Sequence, residues 1–170
     1  EYVALKIELL EPLPAALANA AVLKGKKIYA LAATLRPETM SGQTNVWILP
    51  EGEYGAFEAA GDAVYLCAPR AARNMAFQGL FPTWGKPKCL ATVKGRDLLG
   101  CKLNAPSAPF DFVHMLPMST ISMTKGTAIV TSVPSDSPMD YAAFMDLKNP
   151  KKRDFYGVKA EWVDPFDCVD

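Results

Sequence analysis

The stretch of sequence that decides the fold is residues 28–39, IYALAATLRPET. Its first half is apolar, and a short apolar run of this kind predicts a buried strand. Its second half is polar and begins at Thr34. Within it, Pro37 suits the first turn of a helix, and Glu38 favours the positive end of the helix dipole. The stretch therefore predicts a strand that ends at a corner, after which a helix begins.

Other segments repeat the strand pattern along the chain. The opening residues alternate at Val3, Leu5, Ile7 and Leu9, and a period of two is typical of a half-buried strand. Short apolar runs, most of them bounded by Gly, Pro or Asn, follow at residues 46–49, 63–67, 88–93, 112–118 and 128–133. This punctuation is typical of strands that are joined by turns.

Helical patterns are fewer. Residues 69–78 begin with Pro69 and precede Gly79, which is the usual order of proline near a helix start and glycine past its end. A second helix is predicted after Val133, where apolar residues lie three and four positions apart, at Tyr141, Phe144 and Met145. Many short strands with few helices predict an α+β fold with either a curled sheet or a small barrel.

The composition predicts one domain over residues 1–170, with a charged C-terminal segment at residues 149–170 that has no firm secondary-structure assignment. Half of the residues are hydrophobic, which is ordinary for a packed core. Lys plus Arg and Asp plus Glu each total 18, so the charge is not that of a domain that binds long nucleic acids unaided. No apolar run approaches roughly 20 residues, the length that spans a bilayer, so no membrane segment is predicted.

A metal site is not expected. The four cysteines, at positions 67, 89, 101 and 168, have no CxxC spacing, and the only histidine, His114, lies in an apolar run. Free thiols in a reducing compartment are the simpler interpretation. The motifs of P-loops, zinc proteases and serine hydrolases are absent as well, and no nucleophile has a base nearby in sequence.

Two polar corners carry the candidate chemistry, and each allows two interpretations. Residues 34–39 form either a plain helix start or a corner at which backbone N–H groups and the hydroxyls of Thr34 and Thr39 face a ligand. In residues 131–140, Ser137 and Asp140 have the spacing of a helix cap. Alternatively, Asp140 points into a cleft, where an ionised carboxylate binds a protonated amino group strongly.

The two corners also carry a family resemblance. LRPETMSGQTN at residues 35–45, together with VTSVPSDSP at residues 130–138, resembles the editing domain of eukaryotic-type cytosolic leucyl-tRNA synthetases. The similarity extends over nearly the whole chain. The shorter TLRPET motif also suits isoleucyl- or valyl-tRNA synthetases, which stay an alternative.

The resemblance implies a domain that has a small β-barrel core with flanking helices and that is inserted into an ATP-dependent catalytic domain. Its implied activity is post-transfer editing, the hydrolysis of tRNA(Leu) esters of norvaline, isoleucine, methionine and similar amino acids. A second hydrolytic step is needed because one methylene gives only about 1–3 kcal/mol of discrimination, a magnitude that was established on aminoacyl-tRNA synthetases themselves. The abrupt start and end of the chain suggest a piece excised from a longer synthetase.

Residue roles follow from the resemblance by motif position. Asp140 matches the anchor of the substrate α-amino group, and Thr39 matches the threonine that blocks leucine. Thr34 matches the threonine near the ester and the ribose of the terminal adenosine, and Arg36 matches the arginine that supports that corner. The remaining expected substrate-binding residues are Leu35, Thr131, Ser132, Val133, Asp136 and Tyr141.

The resemblance also implies partners and location. The expected partners are the terminal adenosine of tRNA(Leu), the rest of the synthetase chain, and boron compounds that form adducts with that adenosine. Editing needs no cofactor or metal, whereas aminoacylation by the full-length enzyme uses ATP and Mg. We expect a cytoplasmic protein whose isolated domain is a monomer that does not bind membranes.

Three positions depart from the family pattern. Ala128 stands where a glycine is common, Met139 where an acidic residue often precedes the anchoring aspartate, and Ser41 where an aromatic residue is frequent. Ala128 and Met139 flank the expected pocket. They motivate an alternative function, a non-catalytic module that binds the terminal adenosine without hydrolysis.

Overall fold

The computed structural model describes residues 2–169, which form nine strands and four α-helices. The strands are β1 (Val3–Glu8), β2 (Lys27–Thr34), β3 (Asn45–Ile48), β4 (Glu53–Glu58), β5 (Ala63–Cys67), β6 (Cys89–Lys94), β7 (Lys102–Leu103), β8 (Val113–Pro117) and β9 (Ile129–Ser132). The α-helices are α1 (Ala15–Ala18), α2 (Pro69–Ala76), α3 (Pro138–Lys148) and α4 (Pro150–Phe155). Short 3-10 helices join some of these elements.

The strands form two mixed sheets. The five-stranded sheet has the order β1-β2-β5-β4-β6, and only its β2–β5 pair is parallel. The four-stranded sheet has the order β7-β8-β3-β9, with β3 parallel to β8 and antiparallel to β9. Strand β2 packs against β9, so the ends of these two strands bring both polar corners to one side of the molecule.

The α+β class is confirmed, whereas a closed β-barrel is not found among residues 2–169. Strands β1 and β6 lie at the edges of one sheet, and β7 and β9 lie at the edges of the other. The two sheets are joined along one border by an isolated bridge between Leu9 and Leu103 and by the hydrogen bond from Leu10 N to Lys102 O. A closed barrel needs an unbroken hydrogen-bonded ring of strands, and one short bridge does not provide it.

All the predicted strands are present, and two strands escaped prediction. Strand β4 (Glu53–Glu58) was not predicted because the charged residues at its two ends interrupt the apolar pattern of its buried centre. Strand β7 has only two residues, which is too short to show any alternation in sequence.

Both predicted α-helices form, with one correction on α3. Phe144 and Leu147 are its buried residues, whereas Tyr141 and Met145 are 47% and 42% exposed. The predicted stripe of Tyr141, Phe144 and Met145 is therefore wrong in two positions. The helix buries the narrower line of Phe144 and Leu147 in the hydrophobic core. The helical period alone does not determine which of its apolar residues are buried.

The charged C-terminal segment is ordered in its described part. Helix α4 is followed by a 3-10 helix, Ala160–Trp162, and the buried ring of Phe166 packs edge-on against Phe110 and His114. Ion pairs at 2.8 Å from Arg153 to Asp164 and at 2.6 Å from Lys148 to Asp167 hold it in place. No helix within residues 2–169 has both the length and the apolar character required to cross a membrane.

Candidate functional site

The two polar corners face each other across a cleft of about 290 Å³. One wall is the end of β2 and the turn that follows it, and the other wall is the end of β9 and the start of α3. The residues that line the cleft are Tyr2, Ala33, Thr34, Leu35, Arg36, Thr39, Met40, Val130, Thr131, Val133, Asp136, Ser137 and Asp140. The sequence segments that predicted chemistry therefore meet in one place.

The first wall is a tight corner that is fixed by its own hydroxyls. Thr34 Oγ1 accepts a hydrogen bond from Arg36 N at 3.0 Å. Thr39 Oγ1 donates to Arg36 O at 2.9 Å. A 3-10 helix, Pro37–Gly42, begins here with Pro at its first turn. The predicted helix start is therefore confirmed, as a 3-10 helix, and the same residues border the cleft.

The hydroxyl of each threonine keeps some capacity for a ligand. The Thr34 oxygen is an acceptor in its local bond, so its O–H group is available to donate. The Thr39 O–H group is used locally, but its oxygen retains lone pairs and its methyl group has a fixed place. The corner thus offers one donor and one acceptor on a rigid turn.

The second wall contains the helix cap that the spacing predicted. Ser137 precedes α3 and its hydroxyl accepts a hydrogen bond from Asp140 N at 3.3 Å. In a complete capping box, the Asp140 carboxylate would return a bond to Ser137 N. Here Ser137 N donates to Val133 O instead, at 2.9 Å. The carboxylate of Asp140 is therefore not used by the cap.

The Asp140 carboxylate is held by two donors from different elements. Trp47 Nε1 donates to Asp140 Oδ1 at 2.9 Å, and Val133 N donates to Oδ2 at 3.1 Å. Each carboxylate oxygen accepts about two hydrogen bonds, so each oxygen keeps one position free. The group is partly buried and borders the cleft, which makes it an oriented acceptor for a cation.

An ion pair joins the two walls. Arg36 Nη1 donates to Asp136 Oδ2 at 2.7 Å, although the two residues are 100 positions apart in the chain. Arg36 Nε also lies 3.4 Å from Glu38 Oε1. Because the guanidinium is held by carboxylates on both walls, it sets the separation of the two corners at this end of the cleft.

Two predicted site residues do not line the cleft. Ser132 is fully buried, with its hydroxyl 3.5 Å from that of Thr44, so its side chain packs in the interior rather than against a ligand. Tyr141, which follows Asp140 on α3, is exposed and is not among the residues that line the cleft. In this structure, contrary to the prediction, neither side chain borders the cleft.

Several residues of the site escaped sequence reasoning. Tyr2, Ala33, Met40, Val130 and Ser137 also border the cleft. Trp47 holds the central carboxylate from a buried strand, 93 residues away in the chain. Nothing local to Trp47 signals this contact, because a buried tryptophan in a strand is ordinary core.

The polar side chains that line the cleft are carboxylates, hydroxyls and one guanidinium. None of the residues that line it is a histidine or a cysteine. Among residues 2–169, no three His, Cys, Asp or Glu side chains cluster as a metal site would require. Burial raises the pKa of Cys67 and of Cys101 to about 12, so both thiols stay protonated at neutral pH. The arrangement is suited to binding a cation and orienting a polar group.

Comparison with known proteins gives the family. The fold superposes on the crystal structure of GlLeuRS-CP1 with a TM-score of 0.91 at 36% identity, covering 99% of this chain and 72% of that one. This chain belongs to the CP1 editing-domain family of the leucyl-tRNA synthetases. The editing domain of the P. knowlesi cytosolic leucyl-tRNA synthetase is also similar, with a TM-score of 0.81 at 26% identity, covering 96% of this chain and 67% of that one.

Similarity to full-length enzymes agrees with this assignment. The cytoplasmic leucine–tRNA ligase of Dictyostelium discoideum is 51% identical over 99% of this chain, and the chain spans 16% of the length of that relative. The predicted editing-domain family and its cytoplasmic type are confirmed, and these relatives favour the leucine branch over the isoleucine and valine branches. No model of a protein family matches the chain.

Proposed function

We propose that this editing domain hydrolyses the ester of misacylated tRNA(Leu) as part of a leucine–tRNA ligase. The observation that carries the proposal is the carboxylate of Asp140, which two donors orient at the edge of a cleft opposite the Thr34–Thr39 corner. The substrates are tRNA(Leu) esters of norvaline, isoleucine, methionine and similar amino acids. The partners are the 3′ end of that tRNA and the rest of the synthetase.

The substrate carries a group that Asp140 is suited to bind. An aminoacyl ester has a protonated α-amino group, and a hydrogen bond between an ammonium and a carboxylate is roughly twice as strong as a neutral one. The free acceptor position on each Asp140 oxygen is available for it. With the ammonium fixed there, the ester lies near the Thr34–Thr39 corner.

We assign the hydrolysis to attack by an oriented water, and no residue of the cleft is assigned as its general base. The water oxygen attacks the ester carbonyl, the acyl C–O bond breaks, and a proton passes to the ribose oxygen that leaves. The Thr34 hydroxyl is placed to donate to the developing oxyanion or to the ribose. Positioning of this kind lowers the activation free energy by several kcal/mol. The reaction needs neither ATP nor Mg, which the aminoacylation step of the full-length ligase would use.

The decisive experiment is deacylation of norvalyl-tRNA(Leu) by the full-length synthetase that carries this domain. We expect Asp140→Ala to lower the single-turnover rate by at least about a hundredfold, while aminoacylation with leucine is unchanged. Asp146→Ala is the matched control, because Asp146 lies on the same helix and pairs with Lys152 at 2.6 Å outside the cleft. A folded Asp140→Ala enzyme that deacylates at the normal rate would reject the proposal.

Two further expectations follow from the same site. Boron compounds that bond the cis-diol of adenosine should form an adduct that occupies the cleft and protects the Thr34–Thr39 corner in hydrogen exchange. Binding of the adenosine without any deacylation, by both the parent enzyme and the Asp146→Ala control, would instead indicate a non-catalytic module.

The isolated domain is proposed to be a monomer, which sedimentation measures directly.

A further inference from the structure

We propose that Trp47 is a positioning residue for editing, whose indole N–H group sets the orientation of the Asp140 carboxylate. The inference rests on the proposed function and names a residue that acts through Asp140 without touching the substrate. Trp47 is fully buried in β3, the strand between β8 and β9 in the four-stranded sheet. Its only polar atom outside the backbone donates to Asp140 Oδ1 at 2.9 Å.

The contact differs from ordinary burial of a tryptophan. An indole N–H group is a donor only, and a buried one needs an acceptor. Here the acceptor is an ionised side chain that borders the cleft, not a backbone carbonyl of the core. A charge-assisted bond of this kind is shorter and stronger than a neutral one, so it constrains the carboxylate more tightly.

The two donors that hold the Asp140 carboxylate lie in different parts of the fold. Val133 N, which holds Oδ2, belongs to the loop between β9 and α3, as do Ser137 and its cap. Trp47 is anchored in the sheet by pairing with Leu116 on one side and Val130 on the other. Of the two donors to the carboxylate, only the indole connects Asp140 to the sheet itself. Removal of that donor leaves the carboxylate free to rotate about its remaining bond to Val133.

The kinetic test is Trp47→Phe in the full-length synthetase, because phenylalanine keeps an aromatic ring and removes the donor. We expect the single-turnover deacylation rate at saturating norvalyl-tRNA(Leu) to fall by about tenfold to a hundredfold, with less than about a threefold change in the concentration for half-saturation. Aminoacylation should be unchanged. Trp84→Phe is the matched control, since Trp84 is 67% exposed and lies outside the cleft.

NMR spectroscopy tests the contact between Trp47 and Asp140 without the Trp47→Phe variant, in case that variant does not fold. The chain has three tryptophans, and each gives one indole N–H signal in a two-dimensional NMR spectrum of the 170-residue protein. Asp140→Asn should move the Trp47 signal, because a neutral amide replaces the charged acceptor, and should leave the signals of Trp84 and Trp162 in place. An unmoved Trp47 signal in folded Asp140→Asn protein would overturn the inference.

The outcomes separate this inference from the proposed function. Loss of deacylation in Asp140→Ala with wild-type kinetics in folded Trp47→Phe would reject the role of Trp47 and leave the proposed function standing. Normal deacylation in Asp140→Ala would reject both. Slow deacylation in Trp47→Phe at an unchanged half-saturating concentration, together with the shifted indole signal, supports both.

Discussion

Arg36 and Asp136 form an ion pair at 2.7 Å that closes one end of the cleft between the two corner segments. Their side chains are 60% and 35% exposed, so water and salt weaken the attraction, and exposed pairs of this kind contribute only about 0–1 kcal/mol to stability. The pair therefore matters for the shape of the cleft more than for the free energy of folding.

The first prediction concerns the effect of Arg36 on the shape of the cleft and on stability. Arg36→Gln should lower the free energy of unfolding by less than about 1 kcal/mol and should raise the norvalyl-tRNA(Leu) concentration for half-saturation of deacylation. Arg96→Gln is the control, because Arg96 forms a comparable exposed pair with Glu51 away from the cleft. Partial recovery in the charge-swapped enzyme, Arg36→Asp with Asp136→Arg, would support an ionic link. Equal deacylation by Arg36→Gln and Arg96→Gln would contradict the prediction.

The second prediction concerns Thr39 and the exclusion of leucine. The bond from its hydroxyl to Arg36 O holds the methyl group in one place. We expect Thr39→Ala and Thr39→Ser to hydrolyse leucyl-tRNA(Leu), because both lack the methyl group that obstructs the leucine side chain. Thr39→Val, which keeps that bulk, should still spare it. The measurement is deacylation of leucyl-tRNA(Leu) by the full-length enzyme. Stable leucyl-tRNA(Leu) with folded Thr39→Ala would remove this role.

The third prediction concerns Ala128, which has a φ of 60° just before β9. An L-residue in the left-handed region costs roughly 1–2 kcal/mol, whereas glycine adopts it freely. The hydrogen bond at 2.7 Å from the Tyr54 hydroxyl to Ala128 O keeps this backbone in place. The conformation explains why a glycine is suited to this position.

We expect Ala128→Gly to raise the free energy of unfolding by about 0.5–1 kcal/mol, because relief of the strain exceeds the extra entropy of the unfolded chain. Urea denaturation of the 170-residue protein measures this change. Ala30→Gly is the contrasting control, since Ala30 is buried within β2 and should lose stability on the same substitution. An equal loss of unfolding free energy in Ala128→Gly and Ala30→Gly would contradict backbone strain at Ala128.

The fourth prediction concerns pH. Burial lowers the pKa of His114, and nearby Lys102 lowers it further, against the opposing effects of the hydrogen bond to Gly100 O and of Glu161. The unfolded chain, with a histidine pKa of about 6.5, therefore binds a proton more readily than the folded chain. The stability that neutral His114 contributes is complete above pH of about 6.5 and is lost as the pH falls through the folded pKa.

The wild-type protein should therefore lose more unfolding free energy than His114→Gln when the pH falls from about 7.5 to about 5.5, a range that lies above the carboxyl pKa values. Thermal or urea unfolding at the two pH values gives the comparison. Glutamine is chosen because its amide N–H group can still donate to Gly100 O, as His114 Nδ1 does at 2.9 Å. An identical loss in the two proteins would assign the pH dependence to other groups.

Local chemistry was enough to predict much of the fold and the position of the site. The alternation at Val3, Leu5, Ile7 and Leu9 predicted β1, and Pro69 with Gly79 predicted α2, because both patterns depend on neighbours in the chain. The cap of α3 by Ser137 was likewise predicted, since its hydrogen bond spans only three residues. The two corner motifs, by their resemblance to one family, predicted that distant segments meet.

Only the tertiary structure decided how those pieces are held. It separated the strands into two open sheets, buried Ser132 and Leu147, and left Tyr141 and Met145 in solvent. It also joined Trp47 to Asp140 and Arg36 to Asp136, over 93 and 100 residues. A helix cap is a hydrogen bond between residues close in sequence, and the two-residue period of a strand is set by local backbone geometry. The partner of a buried indole or a guanidinium is set by the packing of whole elements, which no local pattern encodes.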